Sequence, residues 1–166
     1  GIHNFKNYVA AIYMAYQYGV PIKKSIQALS SFSGVKRRQE LVYDKNSISI
    51  IDDFAHHPTA IKLTIESIKN ENPEKNIIGI IELGSNTMAS GKHVDLLINA
   101  VNDLDGVYWY DPRHALKDKL FEQTFNSLDD LHNDLLAKIQ TDSIILIMTN
   151  KNSSYIYQPI KDYLER

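Results

Sequence analysis

The chain has no cysteine among its 166 residues, which excludes disulfides and thiolate metal centres. It has no run of 18 or more apolar residues, so a bilayer-crossing helix is not expected, and no secretory leader pattern opens it. Charge of one sign is not in excess either. Eighteen basic and 20 acidic residues give a formal net charge of −2, with no broad electrostatic reason to bind nucleic acid or an anionic membrane. Internal repeats and low-complexity stretches are missing. These absences point to a soluble, cytoplasmic globular protein. An initiator methionine is also missing before Gly1-Ile2-His3-Asn4, so the expectation is one piece of a longer polypeptide.

What is present suits a packed core: 43% apolar and 23% charged residues. Residues 4–18 and about Ile22 to Phe32 read as helices separated by Gly19-Val20-Pro21. A basic connector, Ser33-Gly34-Val35-Lys36-Arg37-Arg38, follows, and the hydrophobic pattern then changes. The spacing predicts a β-hairpin from Leu41–Tyr43 and Ile48–Ile51, turning at Asp44-Lys45-Asn46. After it come a helix from Pro58 to about Lys69 and a buried strand at Ile77–Ile81. A helix over about Lys92–Asn102 and a strand at Val107–Tyr110 come next. A helix at Leu128–Ile139, a strand at Ile144–Met148 and a helix at Tyr155–Leu164 complete the pattern. Strands alternating with helices of this length imply a Rossmann-like α/β fold. Its sheet is expected to be mostly parallel, with helices on both faces and an antiparallel edge hairpin. The expected division is 1–38, a helical segment and linker, and 39–166, the α/β domain.

Candidate chemistry concentrates at Asp52-Asp53-Phe54-Ala55-His56-His57-Pro58, where two carboxylates end a strand and two imidazoles precede a helix. Polar groups at the carboxyl end of a parallel strand are where open α/β sheets bind ligands. Asp and His also suit a metal, yet this spacing matches no standard zinc pattern. A capping role for Asp and His in the turn is a further alternative. Contact with a polar ligand is the preferred reading.

Gly84-Ser85-Asn86-Thr87-Met88-Ala89-Ser90-Gly91-Lys92 imitates a phosphate-binding loop. It places six residues between the glycines where four are needed, and His93 follows Lys92. It reads instead as a polar strand-end loop, with Ser85, Asn86 and Thr87 as ligand candidates. His3, Asn4 and Asn7 put two amides on one side of a first helical turn, as caps or as readers of an adenine edge. The tyrosines, including Tyr108 and Tyr110 beside Trp109, read as core and sheet residues.

In this order, these stretches resemble the Mur ligases of bacterial cell-wall synthesis. Gly1-x-His3-Asn4-x-x-Asn7-x-x-Ala10-Ala11 resembles the signature near the end of their central ATPase domain. Gly34-Val35-Lys36-Arg37-Arg38-x-Glu40 resembles the connector into their C-terminal domain. Asp52-Asp53-Phe54-Ala55-His56-His57-Pro58-Thr59-Ala60-Ile61, with Ser85-Asn86-Thr87-Met88, is most similar to the branch that uses a recycled tripeptide. The branch that adds free L-alanine shares the Asp-Asp-x-x-His-His-Pro element and is the nearest alternative. A non-catalytic murein-peptide-binding module is another.

The resemblance implies an ATP-dependent ligase joining UDP-N-acetylmuramate to L-Ala-γ-D-Glu-meso-diaminopimelate in peptidoglycan recycling. By the same resemblance, Asn4 and Asn7 face adenine, Arg38 approaches ribose and phosphates, and Asp53 accepts from ribose hydroxyls. His56 and His57 lie near the peptide or the transferring phosphoryl group, and Ser85, Asn86 and Thr87 line the acceptor pocket. No metal ligand is expected in this chain. ATP and Mg²⁺ are expected mainly on upstream domains of the same polypeptide, so residues 1–166 alone are expected to be inactive. Two departures stand out. Glu82-Leu83-Gly84 replaces the family's Glu-Pro-Arg, and Asn150-Lys151-Asn152-Ser153-Ser154-Tyr155 replaces a glycine-rich loop. Lys151 is available as a partial replacement for the missing arginine.

Overall fold

The computed structural model describes residues 2–32, 34–84, 94–114 and 123–166, with backbone alone for 2–4. Its contacts divide the chain into two units, Gly1–Val35 and Lys36–Arg166. The division falls shortly before the boundary expected from the sequence.

In the first unit, α1 (Ile2–Gln17) and α2 (Ile22–Ser30) are joined through Gly19. Gly19 has φ +84, the left-handed conformation that ends helices and costs glycine least. Tyr8 meets Phe32 edge-on, with ring centroids 6.3 Å apart. No residue of α2 is buried.

The second unit begins with β1 (Glu40–Lys45) and β2 (Ile48–Asp53), an antiparallel pair. Their turn lies one position later than expected, at Asn46-Ser47, with φ 54 and 61. Two positive φ values in a two-residue loop match the right-handed twist of the flanking strands. Lys45 is therefore a strand residue, paired with Ile48. α3 (Pro58–Glu71), β3 (Asn76–Glu82), α4 (Val94–Ala100) and β4 (Gly106–Tyr110) follow. The short β5 (Thr124–Phe125), which the sequence pattern did not predict, is aligned alongside β4. α5 (Leu128–Lys138), β6 (Ser143–Met148) and α6 (Ser154–Leu164) complete the unit.

The six strands lie in the order β1-β2-β6-β3-β4-β5, all neighbours parallel except β1 and β2. The isoleucine-rich strands face two cores at once because side chains alternate across a sheet. Ile77, Ile81, Ile144, Leu146 and Met148 join Ile61, Ile65 and Leu97 from α3 and α4. Ile78, Ile80, Ile145 and Ile147 join Leu131, Leu135, Ile156 and Ile160 from α5 and α6 on the opposite face. Gly79 lets the Leu104 side chain pack against the strand backbone: a Cβ there would lie 2.5 Å from Leu104 Cδ1, which would have to move.

The expected doubly covered, mostly parallel α/β sheet is thus present. The topology also sets the geometry at the strand ends. The chain leaves β2 and β3 toward the α3–α4 face, and leaves β6, between them, toward the α5–α6 face. Such divergence opens a crevice at the carboxyl ends of the strands.

Candidate functional site

The β2 end is a turn built around Asp53. Its Oδ1 accepts from the Ala55 N–H at 2.8 Å and the Thr64 hydroxyl at 3.3 Å, and its Oδ2 from the Gln39 N–H at 2.9 Å. Burial raises the Asp53 carboxyl above its ordinary value, opposed by the Ala55 and Gln39 donors and the charge of Arg38. Asp53, expected to accept from a ribose, is 4% exposed and spends both oxygens on the turn.

The turn presents the two imidazoles differently. His56 donates through Nδ1 to the Phe54 carbonyl at 2.8 Å, since a carbonyl can only accept. That bond leaves Nε2 as the unprotonated nitrogen of a neutral ring. His57 is the N-cap residue of α3, but its side chain makes no capping bond and is exposed. The rings lie 4.6 Å apart. The two imidazoles are thus neighbours on the turn that Asp53 holds, and Arg38 is near enough to act on the Asp53 charge.

In the connector, the neighbouring arginines part ways. Arg37 and Gln39 hold φ 61 and 53, a costly conformation for residues with a Cβ. The backbone is held there by Arg37 N–H to Glu40 Oε2 at 2.8 Å and by the Gln39–Asp53 bond. Arg37 then turns inward: its NH2 group donates to the Thr149 carbonyl at 2.6 Å, and its Nε to Asp52 Oδ2 at 3.3 Å. Its guanidinium also sits 5.2 Å from the Phe54 ring centroid. Ser153 donates to the same Asp52 oxygen at 2.6 Å, while Asp52 Oδ1 is buried without a partner among the described residues. Arg38 is exposed.

Sequence reasoning missed the centre of the crevice. Thr149, the first residue past β6, donates its hydroxyl to Glu82 at the β3 end and accepts the Lys151 N–H at 2.9 Å. The Tyr155 hydroxyl also bonds to Glu82; burial first, and then that carboxylate, push its pKa far above the ordinary tyrosine value. Tyr110, the β4 residue paired with Glu82, is raised by burial and by the same negative charge. Arg113 donates to the Leu83 and Gly84 carbonyls at 3.4 and 3.0 Å. The available signal was positional: polar residues stand directly behind the two isoleucine runs.

The remaining candidates are more widely spread. Asn7 lies exposed on α1, in the other unit. The Asn4 side chain and all of Ser85, Asn86 and Thr87 lie outside the described residues. Among the described residues, no group of three or more His, Asp or Glu side chains could hold a metal ion. Among the buried carboxylates here, Asp53 and Glu82 already accept protein donors, and Asp52 does so through Oδ2.

A doubly wound sheet with polar side chains gathered at the carboxyl ends of β2, β6 and β3 places the chain among α/β domains of the open parallel-sheet class. The profile of the family described as "Mur ligase, glutamate ligase domain" matches residues 37–151, and the chain belongs to that family. It is 34% identical to the UDP-N-acetylmuramate–L-alanyl-γ-D-glutamyl-meso-2,6-diaminoheptandioate ligase of Haemophilus influenzae, over 99% of this chain and 38% of that protein. It is 31% identical to the UDP-N-acetylmuramate–L-alanine ligase of Streptococcus mutans, over 98% of this chain and 36% of that protein. A solved murein peptide ligase from Psychrobacter arcticus 273-4 superposes with a TM-score of 0.76 at 35% identity, covering 99% of this chain and 37% of that one. The chain thus spans less than two fifths of the length of these relatives.

Proposed function

We propose that this chain forms the acceptor-binding part of a cytoplasmic, ATP-dependent ligase. The enzyme joins UDP-N-acetylmuramate to the recycled tripeptide L-Ala-γ-D-Glu-meso-diaminopimelate. In this reading, residues 39–166 receive the peptide and residues 1–38 belong to the nucleotide-binding domain and its linker. The observation that carries the reading is the polar crevice over β2, β6 and β3, in a chain related along 99% of its length to a tripeptide ligase.

The chemistry asks little covalent work of the domain. ATP phosphorylates the lactyl carboxylate, giving an acyl phosphate and ADP. The peptide amine attacks the acyl carbon, the C–N bond forms, the C–O bond to phosphate breaks, and the amine gives up a proton. The Nε2 of His56 has the lone pair to take that proton, since Nδ1 is committed to Phe54. His57, exposed beside it, is free to contact the phosphoryl group or the peptide. Asp53 serves by holding the turn, because a direct ribose contact would have to displace one of its donors. Arg38 has a fork of donors suited to ribose and phosphate oxygens. Asn4 and Asn7 are assigned to adenine, and Ser85, Asn86 and Thr87 to the acceptor pocket. The Mg²⁺ and the triphosphate are assigned mainly to residues outside this chain, as the family resemblance implies.

The test uses the complete polypeptide, UDP-N-acetylmuramate and ATP, with either tripeptide or free L-alanine added and ADP release followed. Turnover with tripeptide is expected. Turnover with L-alanine and none with tripeptide would move the assignment to the L-alanine-adding branch. Tripeptide binding without ligation would leave a peptide-binding module.

A further inference from the structure

The loop leaving β3 has no side chain at Gly84 and little room for one. A Cβ built there would meet Asn150 Oδ1 at 3.0 Å, Lys151 Cγ at 3.2 Å and Glu82 Cδ at 3.3 Å. The aliphatic stem of Lys151 therefore occupies the space where a residue-84 side chain would begin. Long basic side chains lie along a surface in this way while keeping the ammonium in water.

The placement is held from below. The Lys151 N–H is fixed to the Thr149 hydroxyl, which is bonded to the buried Glu82 carboxylate. Arg113 bonds the Leu83 and Gly84 carbonyls from the other side, so this loop carries a second positive charge. Lys151 itself is exposed, and among the described residues it pairs with no carboxylate. Glu82, the nearest acid, is occupied by the Thr149 and Tyr155 hydroxyls.

Distance relates this cation to the reaction. β6 lies between β2 and β3, so the imidazole turn and the Gly84 loop are two strand spacings apart, about 10 Å. Three extended residues span roughly the same length. A tripeptide whose amine reaches the β2 turn would bring its last residue, with its carboxylates, to the β3–β6 side. We infer that Lys151, seated on Gly84, is a specificity-determining residue whose ammonium pairs with a carboxylate of the acceptor's terminal residue. This rests on the function proposed above.

The experiment compares the complete wild-type polypeptide with Lys151→Gln and with a Lys151→Gly/Gly84→Arg double variant, after melting curves have verified folding. Each is given tripeptide with free terminal carboxylates and tripeptide amidated there, and ADP release is followed. Lys151→Gln is expected to raise KM for the free-carboxylate peptide about tenfold, the scale of one charged hydrogen bond, with kcat little changed. KM for the amidated peptide should hardly move. The double variant, which returns a cation from the opposite loop, should regain preference for the free carboxylate. An undiminished preference in Lys151→Gln, or equal losses on both peptides, would overturn the inference. Failure of the wild type to ligate either peptide would instead strike the proposed function. Calorimetry with both peptides then decides Lys151 separately: carboxylate-dependent binding lost in Lys151→Gln supports it, and unchanged or absent binding overturns it.

Discussion

At the residue scale, Thr149 joins three parts of the crevice with one side chain and its carbonyl. The carbonyl takes Arg37, the hydroxyl oxygen takes the Lys151 N–H, and the hydroxyl proton goes to Glu82. Valine keeps the shape and removes both hydroxyl bonds, leaving a buried carboxylate with one donor fewer. Thr149→Val is therefore expected to cost about 2 kcal/mol, within the range for hydrogen bonds to charged groups. Thr149→Ser, which retains the hydroxyl, should cost less than about 1 kcal/mol. Urea unfolding midpoints of the three proteins check this, and equal midpoints would remove Thr149 from the centre of the network. The same residue shows why part of the site was legible in sequence and part was not. Asp53, His56 and His57 share one turn, so their contiguity is their signal. Glu82, Thr149, Ser153 and Tyr155 meet Arg37 and Asp52 only because β6 inserts between β2 and β3, which residue spacing does not encode. The direction of the two arginines was hidden for a local reason: the left-handed backbone at Arg37 sends that side chain inward.

At the scale of elements, α5 and α6 are pinned together by a buried histidine. His132 is 7% exposed and its Nε2–H donates to the Ile156 carbonyl at 2.9 Å, near the start of α6. Burial lowers its pKa below the ordinary 6.5, against the raising effects of the Ile156 bond and the Asp129 charge. The unfolded chain then binds a proton that the native state resists. This contribution to stability is full above about pH 6.5 and is lost as pH falls toward the depressed native value. His132→Gln keeps a donor for Ile156 without titrating. Urea midpoints at pH 7.5 and 5.5 should fall further apart for wild type than for the variant, and equal differences would show that His132 is not the titrating group. These long elements were readable because their apolar positions repeat over several turns or fill a whole strand. β5 was not, since two residues carry no period and it exists only through pairing with Trp109 and Tyr110. The hairpin turn was displaced by one residue for a conformational reason, the positive φ at Asn46 and Ser47.

At the scale of the whole molecule, the two units draw on very different amounts of core. Both buried clusters of the sheet unit consist of residues from Tyr43 onward. The first unit has the opposite character: α2 buries nothing, and Phe5, Tyr13 and Tyr18 are exposed large apolar or aromatic side chains. Isolated helices of this length are marginal in water, because nucleation is costly and tertiary burial normally supplies the stability. A protein of residues 36–166 is thus expected to unfold cooperatively, within about 0.5 kcal/mol of the full chain, the usual limit for changes remote from a core. A peptide of residues 1–35 should show far less helix by circular dichroism than α1 and α2 would give if fully formed. A loss of several kcal/mol on truncation would mean that residues 1–35 contribute directly to the stability of the sheet unit.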